Sequence, residues 1–143
     1  MHGLTIDKCL IADDNCFDLR IARSIVKQKW PNASIQEARG TKEASERLLT
    51  EKPDLAILDN DMGDGASINA IPITLRLLNP PRPILIMVSG NPDPALREKA
   101  CNVGFADFIS KDDFDFRTLS NLIDAIQPRN DFRLIAPTPP APA

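Results

Sequence analysis

Two rhythms of apolar residues alternate along the chain. Residues 6–12 (IDKCLIA) form a short apolar run that predicts a strand ending in two acids. Phe17, Ile21 and Ile25 then recur at helical spacing with Ala22 and Val26 beside them, a helix that Pro31 should stop. Residues 33–38 read as a second, weaker strand. Thr41 can cap a second helix with Ala44, Leu48 and Leu49 on its core face, and Pro53 breaks it. A third strand over 55–58 runs into Asp59. A third helix over 67–78 should turn Ile68, Ile71, Leu75 and Leu78 inward, with Pro72 inside it. Residues 84–88 form an uninterrupted apolar strand. Asp93 and Pro94 fit the cap and first position of a fourth helix ending near Gly104. Residues 106–110 give a fifth strand. Leu119, Leu122, Ile123 and Ile126 mark a fifth helix, closed by Pro128.

Near-continuous apolar strands between amphipathic helices predict an α/β domain with a parallel sheet covered on both faces. Its crossovers should be right-handed, and its site should lie at the carboxyl ends of the strands. The domain is expected to occupy residues 1–128. Residues 129–143, where Pro137, Pro139, Pro140 and Pro142 alternate with small residues, are expected to be an extended, disordered tail or the start of a linker.

Composition narrows the function. The chain has 143 residues and a net charge of −3, so it offers no basic field for direct nucleic-acid binding. No apolar run approaches a membrane span and the N-terminus lacks a signal-peptide core, which predicts a cytoplasmic protein. Cys9, Cys16 and Cys101 are odd in number and scattered, and read as reduced packing residues. The single histidine, His2, sits in a terminus expected to fray, which argues against a histidine metal site or catalytic triad.

What the strands end on carries the chemistry. The first ends on Asp13-Asp14, the third on Asp59, the fourth on Ser89 and the fifth on Lys111. A parallel sheet brings all four sets to one edge. Carboxylates gathered there raise one another's pKa, and a hard divalent cation with oxygen ligands removes that cost. Mg²⁺ suits one or two carboxylates, waters and a phosphate. Lys111 adds positive charge, and the Ser89 hydroxyl can donate to a phosphoryl oxygen. Asp59 is central among them and can form an acyl phosphate. Each of these residues alone has an ordinary reading as a cap, turn or surface charge; their joint placement carries the argument.

LIADD (10–14), DLAILD (54–59), ILIMVSG (84–90) and FADFISKD (105–112) occur in the order and spacing of the response-regulator receiver family, which the chain resembles over roughly residues 8–127. The resemblance implies a (βα)5 flavodoxin-like fold with strand order 2-1-3-4-5. It makes Asp59 the phosphoacceptor and gives Mg²⁺ to Asp13, Asp14, Asp59 and the backbone carbonyl of Asp61. Ser89 and Phe108 become the switch pair, with the Phe108 ring turning inward, and Lys111 pairs with the phosphoaspartate. The side chains of Asp61 and Asn91 fall where the lifetime of the phosphorylated state is tuned. The implied partners are a sensor histidine kinase or histidine phosphotransfer protein and a downstream protein or output domain. The fourth helix, fifth strand and fifth helix would be the output surface, and a phosphorylation-dependent homodimer is a further implied state.

Three positions depart from the family. Asp112 follows Lys111 where a cis proline is usual, so a trans bond and a differently shaped loop are expected. The loop NDMGDG (60–65) reaches its Asp-Gly early, and Gly90 replaces a usual alanine. Two other readings stand beside the receiver. ILDNDMG (57–63) resembles the nucleophile motif of haloacid-dehalogenase-type phosphatases, with Asp59 and Asp61 as nucleophile and acid/base. That family, however, carries its acidic pair last. The other reading is a pseudo-receiver that keeps the fold as an interaction module without phosphorylation.

Overall fold

The computed structural model describes residues 6–90 and 93–135, with side chains described through Ile126. His2, Asn91 and residues 136–143 of the expected tail lie outside the described residues. Five strands alternate with five helices: β1 (Lys8–Ala12), α1 (Cys16–Lys29), β2 (Ser34–Ala38), α2 (Thr41–Glu51), β3 (Leu55–Asp59), α3 (Ser67–Leu75), β4 (Ile84–Ser89), α4 (Pro94–Asn102), β5 (Asp107–Ser110) and α5 (Phe116–Ile135). The strands form one parallel sheet in the order β2-β1-β3-β4-β5, as expected. The chain reverses its direction of growth between β1 and β3, which opens a crevice at their carboxyl ends.

Strand alternation sorts the core into two layers. Leu10, Ala12, Ala56, Leu58, Leu85, Met87 and Phe108 pack beneath α2, α3 and α4. Cys9, Ile11, Leu55, Ile57, Ile86, Val88 and Ile109 pack beneath α1 and α5. By the same parity Asp13 and Asp59 belong to the α1–α5 side, while Ser89 belongs to the other.

Several expectations shift. In α1 the buried residues are Leu19, Ala22, Ile25 and Val26, while Phe17 and Ile21 are 68% and 43% exposed. The apolar stripe is broad: Leu19, Ala22, Ile25 and Val26 join the core, and Phe17 and Ile21 fall outside it. Leu49 and Leu122 are half-buried at the margins of their helices. Thr41 is the first residue of α2 rather than its cap, and Gly40 holds the cap position without a side chain. α3 ends at Leu75, three residues early, and Leu78 packs against the core from the following turn. α5 passes through Pro128 to Ile135, so residues 129–135 are helical rather than extended. A proline inside a helix loses its own backbone donor and crowds the carbonyl four residues before it, yet the helix continues past Pro128. Cys9 alone of the three cysteines is buried; Cys16 and Cys101 are exposed, and all are free thiols.

Candidate phosphoryl-acceptor site

β1 delivers Asp13 and Asp14 to the crevice. Asp13 is buried, and its Oδ1 accepts from the Asn15 amide at 2.9 Å. Asn15 then caps α1, accepting from the Phe17 and Asp18 amides. A turn and a helix start thus share one short segment, which holds Asp13 in place. β3 delivers Asp59, whose side chain is only 6% exposed. Its backbone carbonyl accepts from the Ser67 hydroxyl, and the Ser67 amide donates to the Asn60 carbonyl. Asn60 Oδ1 receives the Ile68 amide at 2.9 Å. These bonds anchor the start of α3 to the end of β3.

Between them the loop is a tight reversal. Asp61 bridges to Ala66, and the Met62 amide donates to the Gly65 carbonyl at 3.1 Å. Gly63 adopts φ +78°, a conformation that disfavours a side chain, and a Cβ there would stand 3.3 Å from Asp14 Oδ2. The missing Cβ at Gly63 therefore lets the loop approach the first-strand acids. Asp64 reaches away from the site. Its Oδ1 accepts from the Thr41 amide at 2.9 Å and the Thr41 hydroxyl at 3.1 Å, and its Oδ2 accepts from the Lys42 amide. It thus caps α2 from another loop, and the Thr41 amide bond leads in holding its carboxyl below the usual range.

Oxygens of Asp13, Asp14 and Asp59 lie within 4.8 Å of one another, a set that could hold a metal ion. All three are hard oxygen donors, so the chemistry of the set fits Mg²⁺. Lys111 stands against them. Its Nζ lies 2.9 Å from Asp13 Oδ2, 3.6 Å from Asp59 Oδ2 and 2.8 Å from Asp18 Oδ2. Burial, reinforced by the Asp13 charge, pushes the Asp59 carboxyl up to about 6; Lys111 and the Asp61 amide offset only part of that. Burial alone would lower Lys111. Its bonds to Asp18 and Asp13 and the nearby carboxylate charges outweigh that and raise it.

The Lys111–Asp112 peptide is trans, as the missing proline predicts. Lys111 opens a single 3₁₀ turn, and Ser110 Oγ accepts from the Asp112 amide at 3.3 Å. Asp115 accepts from the Thr118 amide at 2.8 Å and so caps the start of α5. Ser89 is buried at the end of β4. Phe108 is 3% exposed, and the Arg97 guanidinium lies 5.3 Å from its ring centroid. The ring expected to turn inward is therefore already inward. It has no hydroxyl to hold it at the surface, and Arg97 covers it from α4.

The crevice thus brings Asp13, Asp14, Asp59 and Lys111 together. Asp18, Asn60 and Ser67 were not anticipated. An acid in a first helical turn reads as a partner of the helix dipole, which hides the reach of Asp18 to Lys111. Asn60 and Ser67 act through backbone groups, which leave no pattern in side-chain chemistry.

Comparison with known proteins agrees with this geometry. Residues 9–124 match the model of the response regulator receiver domain. A protein-glutamate methylesterase/protein-glutamine glutaminase of Carboxydothermus hydrogenoformans is 30% identical over 74% of this chain, which spans 30% of that protein's length. A CheY-like response regulator receiver domain protein from Methanospirillum hungatei superposes with a TM-score of 0.76 at 20% identity, covering 90% of this chain and 99% of that one. A Burkholderia pseudomallei response regulator with a phosphorylated aspartic acid, calcium ion and citrate gives 0.70 at 18% identity, covering 92% and 76%. The match is to a signalling family rather than to the phosphatases whose motif ILDNDMG resembles. With its five-stranded fold and its acids and lysine at the strand ends, the chain belongs to the response regulator receiver domain family.

Proposed function

We propose that this receiver accepts a phosphoryl group on Asp59 from a sensor histidine kinase or a histidine phosphotransfer protein in the cytoplasm. An Asp59 oxygen forms the new bond to phosphorus as the donor's phosphorus–nitrogen bond breaks. Mg²⁺ held by Asp13, Asp14, Asp59 and the Asp61 carbonyl would neutralise charge on the transferring group. Lys111 pairs with phosphoryl oxygens, and the Ser89 hydroxyl moves to donate to another. The side chains of Asp61 and Asn91 set how readily water reaches the acyl phosphate. Catalysis is confined to the chain's own phosphorylation and dephosphorylation.

Ser89 is the moving half of the switch. Phe108, packed beneath Arg97, couples it to the surface of α4, β5 and α5. That surface signals to a downstream protein or an output domain, or pairs with a second phosphorylated copy. The receiver domain is assigned to residues 1–128; α5 carries on past that boundary to Ile135, and a tail or linker would begin after it.

One observation carries the reading: the Lys111 ammonium lies within 3.6 Å of Asp59 and 2.9 Å of Asp13, in a cluster where Asp13, Asp14 and Asp59 can share a cation. Incubation with acetyl phosphate and Mg²⁺, read by intact mass, should add one phosphoryl group to the wild type and none to Asp59→Ala. An unmodified wild type supports the pseudo-receiver instead, and steady turnover of a phosphate ester supports the phosphatase.

A further inference from the structure

We propose that Asp18 is a positioning residue that competes with the phosphoryl group for Lys111 and so weakens the phosphorylated state. The inference rests on the receiver reading given above. An ammonium has three hydrogens to donate. Asp18 takes one at 2.8 Å and Asp13 another at 2.9 Å, which leaves Asp59 the longest contact, 3.6 Å. The lysine is drawn toward α1 and away from the residue it is to serve.

The two competitors differ in what a metal does to them. Asp13 belongs to the trio able to ligate a cation, so a bound metal would compete with Lys111 for its charge. Asp18 is outside that trio and keeps its hold. It sits in the first turn of α1, on the same short segment that Asn15 caps, so its backbone is already fixed. Contact with Asp18 costs Lys111 little reorganisation.

The surroundings strengthen the pull. Asp18, Asp13, Asp59 and Lys111 form the polar wall of a cavity whose apolar lining includes Ile21, Ile57, Val88 and Phe114. Charges beside apolar walls interact more strongly than charges in open water. The Asp18 side chain is still 33% exposed and Lys111 27% exposed, so the pair can open when a stronger anion arrives. Asp18 therefore acts as a weak counterweight rather than a lock.

The test is BeF₃⁻ affinity in the presence of Mg²⁺, measured by calorimetry on the full chain. Asp18→Asn should bind BeF₃⁻ roughly two- to fivefold more tightly, the range expected for a partly exposed ion pair. Its acyl phosphate should decay more slowly by a similar factor. Asp113→Asn removes an exposed charge from the turn after Lys111 and controls for a general change of field. In the metal-free protein the NMR signal of Lys111 Nζ should move in Asp18→Asn and stay in place in Asp113→Asn. Equal affinities for wild type and Asp18→Asn, or equal gains in the two variants, would overturn the role of Asp18 while leaving the receiver reading intact. A wild type that binds no BeF₃⁻ with Mg²⁺ would overturn both.

Discussion

The two faces of the sheet meet at one crevice and do opposite things there. Toward α1 and α5, parity places Asp13 and Asp59, and Lys111 and Asp18 close the cluster over them. Toward α2, α3 and α4 it places Ser89 and Phe108, among core residues. The first face stores electrostatic cost, since a buried carboxylate is kept near others with one lysine to offset them. The second face supplies packing. A signalling site needs both: a charge arrangement that a phosphoryl group can change, and a packed surface that registers the change.

The sharpest way to separate the faces is to compare the sign of a substitution on each. Phe108→Ala removes a ring buried in the core and covered by Arg97, and should destabilise the protein by about 3–5 kcal/mol. Chemical denaturation would measure it, and a loss below about 1 kcal/mol would show that the ring is poorly packed.

Asp59→Asn should act in the opposite direction. The folded-state carboxyl titrates at about 6, above the ordinary range near 4, so the folded protein holds this proton longer than the unfolded chain. Its contribution to stability is therefore greatest below about pH 4 and is lost as pH rises toward 6. Roughly 2–3 kcal/mol is at stake over that window. Asn in place of Asp59 should flatten this part of the stability–pH curve and make the variant the more stable protein at pH 7. A curve unchanged by the substitution would place the titration elsewhere.

The smallest effect tests the tie between the loop after β3 and the start of α2. A Cβ on Gly40 would fall 2.6 Å from Asp64 Oδ2, so Gly40→Ala should displace that carboxylate from the start of α2. Gly40→Ala and Asp64→Ala should each lower the urea midpoint slightly, and the double variant should be no worse than the poorer single one. Losses that add would mean that the two residues act separately.

How much of this could be read in advance depended on distance along the chain. Asp13, Asp14, Asp59, Ser89 and Lys111 were readable because each interrupts an apolar run, and parallel strands bring such interruptions to one edge. The five strands and their helices followed from the same local periodicity. Contacts between distant segments were not readable. Asp64 caps a helix that begins 23 residues earlier, and Asp18 reaches a lysine 93 residues away. In α1, Phe17 and Ile21 continue the apolar stripe past the part the sheet can cover, so periodicity alone overstates the buried face. Pro128 reads as a helix stop in the sequence, yet α5 continues through it to Ile135.

The Asp64 cap makes the loop after β3 and the second helix one inheritable part. A protein engineer who transplanted residues 60–66 into another scaffold would lose the carboxylate's anchorage unless Gly40 and Thr41 travelled with them. Grafting the loop alone would leave its middle tethered to nothing, and Gly63 would no longer be held against the first-strand acids. The transferable unit is discontinuous, a loop and a helix start cut from two places in the chain.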